Sequence, residues 1–341
     1  MSPADYSRRG TRGDAPDARA SDAAFTRRVP NDLAGMRLDQ ALARMLPEHS
    51  RSRLKSWIDA GQVTVDGAAW DAKRHVAGGE RIDLVPSPAA TSLADAGEDI
   101  ALSIVFEDDA ILVLDKPAGL VVHPGSGNRA GTLLNALLHH DPALACVPRA
   151  GIVHRLDKDT SGLMVVAKTG EAQTDLVRQL AARTVTRQYL AVARGDVARA
   201  IVVDAPIGRH PTQRTTMAVV VHGKAARTHV AVVERYGIAT LLRCTLQTGR
   251  THQIRVHLAA IGHPLVGDPA YGGRRAELRM PGTRAIGPTA LPALDRQALH
   301  AAHLSLTHPV ARQTMAWDAP LPADLARLLE ALRRMRATSA Q

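Results

Sequence analysis

The run Gly151-Ile152-Val153-His154-Arg155-Leu156-Asp157-Lys158-Asp159-Thr160-Ser161-Gly162 gathers an imidazole, cationic side chains and two carboxylates in one short stretch. Apolar residues on both sides predict two buried strands, which would hang the polar cluster on a loop held by rigid elements, a common place for catalysis. Thr160, Ser161 and Gly162 have the composition of a tight turn that could fix the aspartates. An ionised carboxylate there could act as nucleophile or as proton acceptor. A hydrogen-bonded turn without chemistry would carry the same residues, and residue type alone does not choose between Asp157 and Asp159.

A second cluster is Gln247-Thr248-Gly249-Arg250-Thr251-His252-Gln253-Ile254-Arg255-Val256-His257-Leu258. Thr251 reads as a helix N-cap after a glycine turn. Ile254, Leu258 and Ile261 share one face, and Gly262 ends the helix. His252 and Arg255, three apart, share another face. Arg255 borders the apolar stripe, so its guanidinium loses water and needs a carboxylate or phosphate partner. It is a candidate counter-ion for an aspartate elsewhere. His252 and His257 have no third ligand at a suitable spacing and no glutamate between them, so no zinc site is expected. In a third run, Thr186-Arg187-Gln188-Tyr189-Leu190-Ala191-Val192, a strand tyrosine could stack on a nucleobase, worth ~1–3 kcal/mol per base. A core tyrosine with a satisfied hydroxyl is the plainer reading.

These stretches need elements to hold them, and 341 residues, 45% hydrophobic, suffice for one large core and a small satellite domain. Lys and Arg number 43 against 33 Asp and Glu, a net charge of +10, which favours a polyanionic partner. Two distant cysteines, Cys146 and Cys244, exclude a disulfide framework and suit a reducing compartment. No apolar run reaches the roughly 20 residues of a membrane span, and no secretory signal opens the chain. A cytoplasmic address is expected.

Residues 1–30 lack periodicity and read as a disordered tail. Over 36–86, Leu38, Leu42 and Met45 mark one helix, and Ser50 caps a second with Leu54, Trp57 and Ile58 inside. Arg51, Arg53 and Lys55 flank that stripe. Alternation at Val63 and Val65, and again at Ile82 and Leu84, adds short strands. Residues 87–100 read as a linker. Over 101–335, uneven strands and helices predict a mixed α+β domain, in which Thr132 caps a helix and Leu325, Leu328, Leu329 and Leu332 line the last one. Positions 274–298, rich in Gly, Pro and Arg, read as a surface loop.

Taken together, the signature His154-Arg155-Leu156-Asp157 followed by Thr160-Ser161-Gly162 resembles that of the RluA-type pseudouridine synthases. Supporting runs are Lys116-Pro117-Ala118-Gly119, Ala205-Pro206-Ile207-Gly208-Arg209, Gly262-His263-Pro264-Leu265-Val266-Gly267-Asp268 and Leu299-His300-Ala301. The 36–86 module resembles an S4 RNA-binding domain. The resemblance implies an α+β catalytic domain with a mainly antiparallel sheet behind a small S4-like α/β domain. It implies a cofactor-free, metal-free isomerisation of uridine to pseudouridine, in large-subunit ribosomal RNA or its assembly precursor; separately, a monomer is expected. It implies that Asp157 is the catalytic carboxylate, that Tyr189 stacks on the target base and that Arg255 pairs with Asp157. Arg155 would fill the gap left by the everted uridine, and His154, Arg250, His252, Arg51, Arg53 and Lys55 would contact RNA. A sister (C-type) specificity, a non-catalytic RNA-binding assembly factor and an N-glycosidase are the alternatives. The last fits poorly, because Asp157 and Asp159 share one turn instead of facing each other.

Overall fold

A computed structural model describes residues 24–47, 51–85, 96–125, 128–213, 215–272, 291–292 and 294–339. The chain divides into two compact units, Met1–Ala90 and Thr91–Gln341.

In the first unit, helices α1 (Leu38–Met45) and α2 (Arg51–Asp59) lie with strands β1 (Phe25–Arg28), β2 (Val63–Val65), β3 (Ala68–Ala69) and β4 (Arg81–Leu84). The strands form an antiparallel sheet in the order β1-β4-β2-β3. Its core contains the expected Leu38, Leu42, Leu54, Trp57, Ile58, Val63, Val65, Ile82 and Leu84. Strand β1 falls inside the segment read as a tail. Only Phe25 of its four residues is even partly covered, so no hydrophobic alternation announces it. Backbone pairing with β4, Phe25 against Leu84 through Arg28 against Arg81, defines it instead. Residues 1–23 of that segment lie outside the described residues.

The second unit is built on a nine-stranded sheet. Its strands are β5 (Ile104–Glu107), β6 (Ile111–Lys116), β7 (Ser161–Ala167), β8 (Thr186–Arg194), β9 (Ile201–Asp204), β12 (Arg227–Arg235), β13 (Ala239–Leu246), β14 (Leu299–Thr307) and β15 (Thr314–Asp318). A separate hairpin joins β10 (Ile207–Arg209) and β11 (Met217–Val219). The main order is β5-β6-β7-β14-β8-β13-β12-β9, with β15 beside β14. Every pairing is antiparallel except β7 with β14, so the α+β, mainly antiparallel expectation holds.

Alternation along the strands buries both faces. Leu112, Leu114, Met164 and Val166 join the cluster packed by α3 (Leu133–His140) and α5 (Gln253–Ala260). Ile111, Val113, Leu163 and Val165 face the opposite cluster, to which α4 (Gly170–Ala182) contributes Ala172 and Leu176. The terminal helix α6 (Ala323–Ser339) buries Leu325, Leu328, Leu329 and Leu332, the stripe its spacing predicts. Thr132 caps α3 and exchanges hydrogen bonds with Asn135, whose amide also donates to the Ala96 carbonyl at 2.8 Å.

Three expectations need correction. The segment before the Asp157 loop is no strand. It is a tight turn, Pro148–Gly151, with Arg149 and Ala150 in left-handed geometry, and only Ile152 bridges to Val166. The end of the stretch read as a surface loop is interior: Arg296 is 8% and Gln297 1% exposed, while Leu291 and Leu294 pack beside α6. Composition misled there, because the arginine count includes a cation that is buried by pairing. Positions 273–290 lie outside the described residues. Finally, part of the expected linker, 96–100, is tied to α3, with Glu98 accepting from Gly131 at 3.0 Å; residues 86–95 lie outside the described residues.

Candidate active site

The loop carrying Asp157 is tied down on several sides. Gly151 and Gly162 bracket it at φ +75° and +117°, where L side chains are disfavoured. A Cβ on Gly162 would lie 2.3 Å from the Ala301 carbonyl oxygen, because β14 runs alongside at that point. The Thr160 amide donates to the Asp157 carbonyl at 3.0 Å, closing the turn. His154 Nε2 accepts from the Val165 amide at 3.1 Å. From the distant chain, Arg296 donates to the Asp159 carbonyl at 3.2 Å and Gln297 to Thr160 Oγ1 at 3.0 Å.

Lys116 supplies the remaining tie. It is fully buried, and its Nζ donates to the carbonyls of Pro117 at 2.6 Å, Leu120 at 3.0 Å and Lys158 at 2.9 Å. Three ammonium protons meet three acceptors, which joins the Lys116-Pro117-Ala118-Gly119 turn to the Asp157 loop. Burial pulls the Lys116 pKa down to about 8 against the attraction of Asp159 and Asp157. A base whose pKa is lower folded than unfolded makes stability rise with pH between the two values, here about 8 and 10.5. In denaturant titrations the stability of wild type relative to Lys116→Met should therefore increase from pH 8 to 10. A flat difference across that window would place the ammonium in water.

Asp157 projects into a cavity of about 470 Å³ that Tyr189, His154, Arg155, Arg250, His252 and Arg255 also line. The topology thus brings together all seven residues singled out in the catalytic domain. Asp159 is not in the lining, so geometry separates the two aspartates that residue type could not. Arg255 Nη1 donates to Asp157 Oδ2 at 3.0 Å. The other side of the same guanidinium grips Asp268, Nε to Oδ2 at 2.7 Å and Nη2 to Oδ1 at 2.8 Å. Asp268 is fully buried and accepts in addition from the amides of Ala270 and Tyr271, at 2.9 and 3.1 Å. Burial opposes the Arg255 charge, but Asp268 and then Asp157 outweigh it and hold its pKa above the ordinary value. A guanidinium fixed by one carboxylate positions the other, with little freedom left to either.

His252 stands on the far side of Asp157, Nε2 to Oδ1 at 3.8 Å. Tyr271 accepts from the Met217 amide at 2.9 Å and lies 2.8 Å from His252 Nδ1. Tyr271 thus ties His252 to the β11 backbone, while Nε2 of the imidazole faces Asp157. Burial lowers the His252 pKa against the pull of Asp157. The Tyr271 ring also lies 5.0 Å from the Arg255 guanidinium. His252, not Thr251, is the cap of α5, and it sits at φ +56° without a side-chain cap bond. Gln253 reaches back to hold the preceding turn, its Oε1 accepting from Thr248 Oγ1 at 2.7 Å and the Arg250 amide at 3.0 Å. That shifts the helix start beyond Thr251.

Burial, with Arg187 nearby, drives the His154 pKa down to about 3, so this imidazole stays neutral and adds no cation to the cavity. Tyr189 is 6% exposed and burial raises its pKa, keeping the phenol protonated. Cys244 and His257 are interior packing groups, the latter accepting from Thr228 Oγ1 and donating to the Ala205 carbonyl, both at 2.9 Å. Among the described residues no group of three His, Cys, Asp or Glu is arranged to hold a metal. On the first unit, Arg51 is paired with the buried Asp39 at 2.7 Å and Lys55 with Asp59. The Arg53 side chain lies outside the described residues. The contributions of Asp268, Lys116, Tyr271, Arg296 and Arg187 escaped sequence reasoning. Lys116 and Asp268 stood in runs quoted for the family resemblance without a role, and a cation closing an apolar strand, as in Ile111-Leu112-Val113-Leu114-Asp115-Lys116, was the physical signal for the first of them.

Comparison with known proteins agrees with this geometry. Residues 110–260 match the RNA pseudouridylate synthase family and residues 36–82 the S4 domain. The chain is 58% identical over 307 residues to ribosomal large subunit pseudouridine synthase D of Nitrosomonas europaea, covering 90% of this chain and 87% of that one. It is 54% identical to the protein of that name from Pseudomonas aeruginosa, over 90% of this chain and 95% of the other. The fold resembles human RNA pseudouridylate synthase domain containing 1 with a TM-score of 0.51 and 28% identity, over 70% of this chain and 96% of that one. With relatives this similar over nearly its whole length, the chain belongs to the RNA pseudouridine synthase family.

Proposed function

We propose that the protein isomerises uridines of large-subunit ribosomal RNA to pseudouridine, with Asp157 as the catalytic carboxylate. The observation that carries this reading is the Asp157–Arg255–Asp268 chain at the cavity wall: it positions a single carboxylate in a cavity that Tyr189 also lines. The ribosomal RNA assignment rests on the names of the similar proteins. A uridine must leave its stack to reach such a cavity, and Tyr189 would then stack on the base while Arg155, exposed at the rim, occupies the vacated space. Asp157 would attack C1′ of the ribose or take the C2′ proton, and both routes require its charged form. The uracil turns and rejoins through C5. Atoms and electrons are conserved, so the reaction calls for no redox partner. A protonated Tyr189 fits stacking better than removal of the C5 proton.

The S4-like unit would bind RNA through its basic helix, Lys55 and Arg51 contributing although each is paired with an aspartate in the free protein. No helix among the described residues is long and apolar enough to cross a membrane, and we infer a monomer acting in the cytoplasm. Mapping pseudouridine across ribosomal RNA with and without the gene tests the whole assignment. Large-subunit positions should lose the modification on deletion and regain it with wild type but not with Asp157→Asn. An unchanged map would overturn the substrate, and rescue by Asp157→Asn would overturn the chemistry.

A further inference from the structure

Five arginines line the cavity, Arg149, Arg155, Arg187, Arg250 and Arg255. Three are exposed, as expected of groups that meet a phosphate backbone. The two buried ones differ. Arg255 is held by two carboxylates. Arg187 is 8% exposed, no carboxylate among the described residues lies within ion-pair distance of it, and its buried Nε has no hydrogen-bond partner. It precedes Tyr189 by two positions on β8, so both side chains leave the same face of the strand. Its Nη1 lies 2.9 Å from where a Cβ on Gly249 would sit, so the glycine leaves room for the guanidinium. A buried, unpaired cation is costly unless an anion joins it.

The reaction creates such an anion. When the C1′–N1 bond breaks, its electron pair leaves on uracil N1 and spreads over O2 and O4. Asp157 loses its negative charge in the same step, by bonding C1′ or by accepting the C2′ proton. One negative charge thus passes from Asp157 to the base. In the second half, C5 bonds C1′, Asp157 regains its charge by leaving C1′ or returning the proton to C2′, and the C5 proton is exchanged for one on N1. Arg255 cannot follow the charge, because Asp268 holds it. We propose that Arg187 is the catalytic cation that stabilises the detached uracil anion. A backbone phosphate, hydrated and bulky, fits the exposed arginines better than this enclosed one.

This inference rests on the isomerase reading, and Asp157→Asn in parallel separates the two failures. In single-turnover assays on an RNA substrate, Arg187→Gln should lower the rate of the chemical step about 10²–10³-fold, the scale of one lost oxyanion donor, with KM little changed. Arg187→Lys should recover part of the loss, and Gly249→Ala, which crowds the guanidinium without removing charge, should lose less than Arg187→Gln. The decisive readout is RNA with 5-fluorouridine at the target, whose base leaves as a more stable anion. The deficit of Arg187→Gln in forming the rearranged nucleoside should shrink there. Arg187→Met, free of a buried charge, should melt no lower than wild type. An equal deficit on both substrates, a raised KM with unchanged rate and weaker salt dependence, or a lower melting temperature in Arg187→Met would each overturn the proposal. If Asp157→Asn stays active, the isomerase reading fails first.

Discussion

Asp157→Asn is expected to lower turnover by at least ~10⁴-fold, in the range seen when a catalytic nucleophile is removed, while leaving the fold and RNA affinity nearly intact. The substitution is close to isosteric. It strands no buried charge, because Arg255 keeps its two bonds to Asp268 at 2.7 and 2.8 Å, and Asp157 is partly exposed, so an amide there stays solvated. Tritium released from RNA carrying 5-tritiated uridine reports the chemical step, while filter binding and thermal melting report the rest. Residual release above about 1% of the wild-type rate would be incompatible with a carboxylate that the mechanism cannot do without.

Asp268→Ala should be the most damaging change that does not touch the reacting carboxylate. Its side chain is fully buried and accepts from Arg255 twice and from two backbone amides. Removing it leaves a buried guanidinium with one partner where it had two, a situation that costs about 3–5 kcal/mol. The lost stability should appear as a lower urea midpoint, with turnover falling because Arg255 is free to swing away from Asp157. Two further variants separate the effects. Asp268→Asn retains acceptors for the amides and should lie between wild type and Asp268→Ala in stability. Adding Arg255→Met to Asp268→Ala removes the stranded charge and should return part of the stability but none of the activity. Additive losses in that double variant would mean that the two groups are not energetically coupled.

Much of this site was legible in the sequence because its groups sit in local patterns. Asp157 stands in a turn between apolar runs, Arg255 borders the apolar face of α5, and Tyr189 alternates within a strand. Their meeting was not legible from spacing. Arg255 bonds a residue 98 positions away, and only a family resemblance paired them beforehand. Supports acting through single long-range contacts carried no periodic signal. Arg296 lay hidden in a segment whose Gly, Pro and Arg content reads as solvent-facing, and Asp268 stood in a family-like run with no role attached to it. The same limit explains β1, whose exposed polar residues owe their strand geometry to hydrogen bonds with β4, and the start of α5, where Gln253 overrode the capping preference of Thr251.

The place of β14 has a consequence for synthesis of the enzyme. It is the penultimate strand in sequence, yet it lies between β7 and β8 near the middle of the sheet. Arg296 and Gln297, just ahead of it, clamp a loop 137 residues earlier. A nascent chain on the ribosome can fold its N-terminal unit early, but the two halves of the large sheet stay unjoined until about residue 307 has emerged. Contacts this distant along the chain form slowly and leave strand edges open meanwhile. Catalytic competence therefore arrives abruptly, once β14 has joined the sheet, and a chain truncated before β14 would lack both the joined sheet and the clamp on the Asp157 loop.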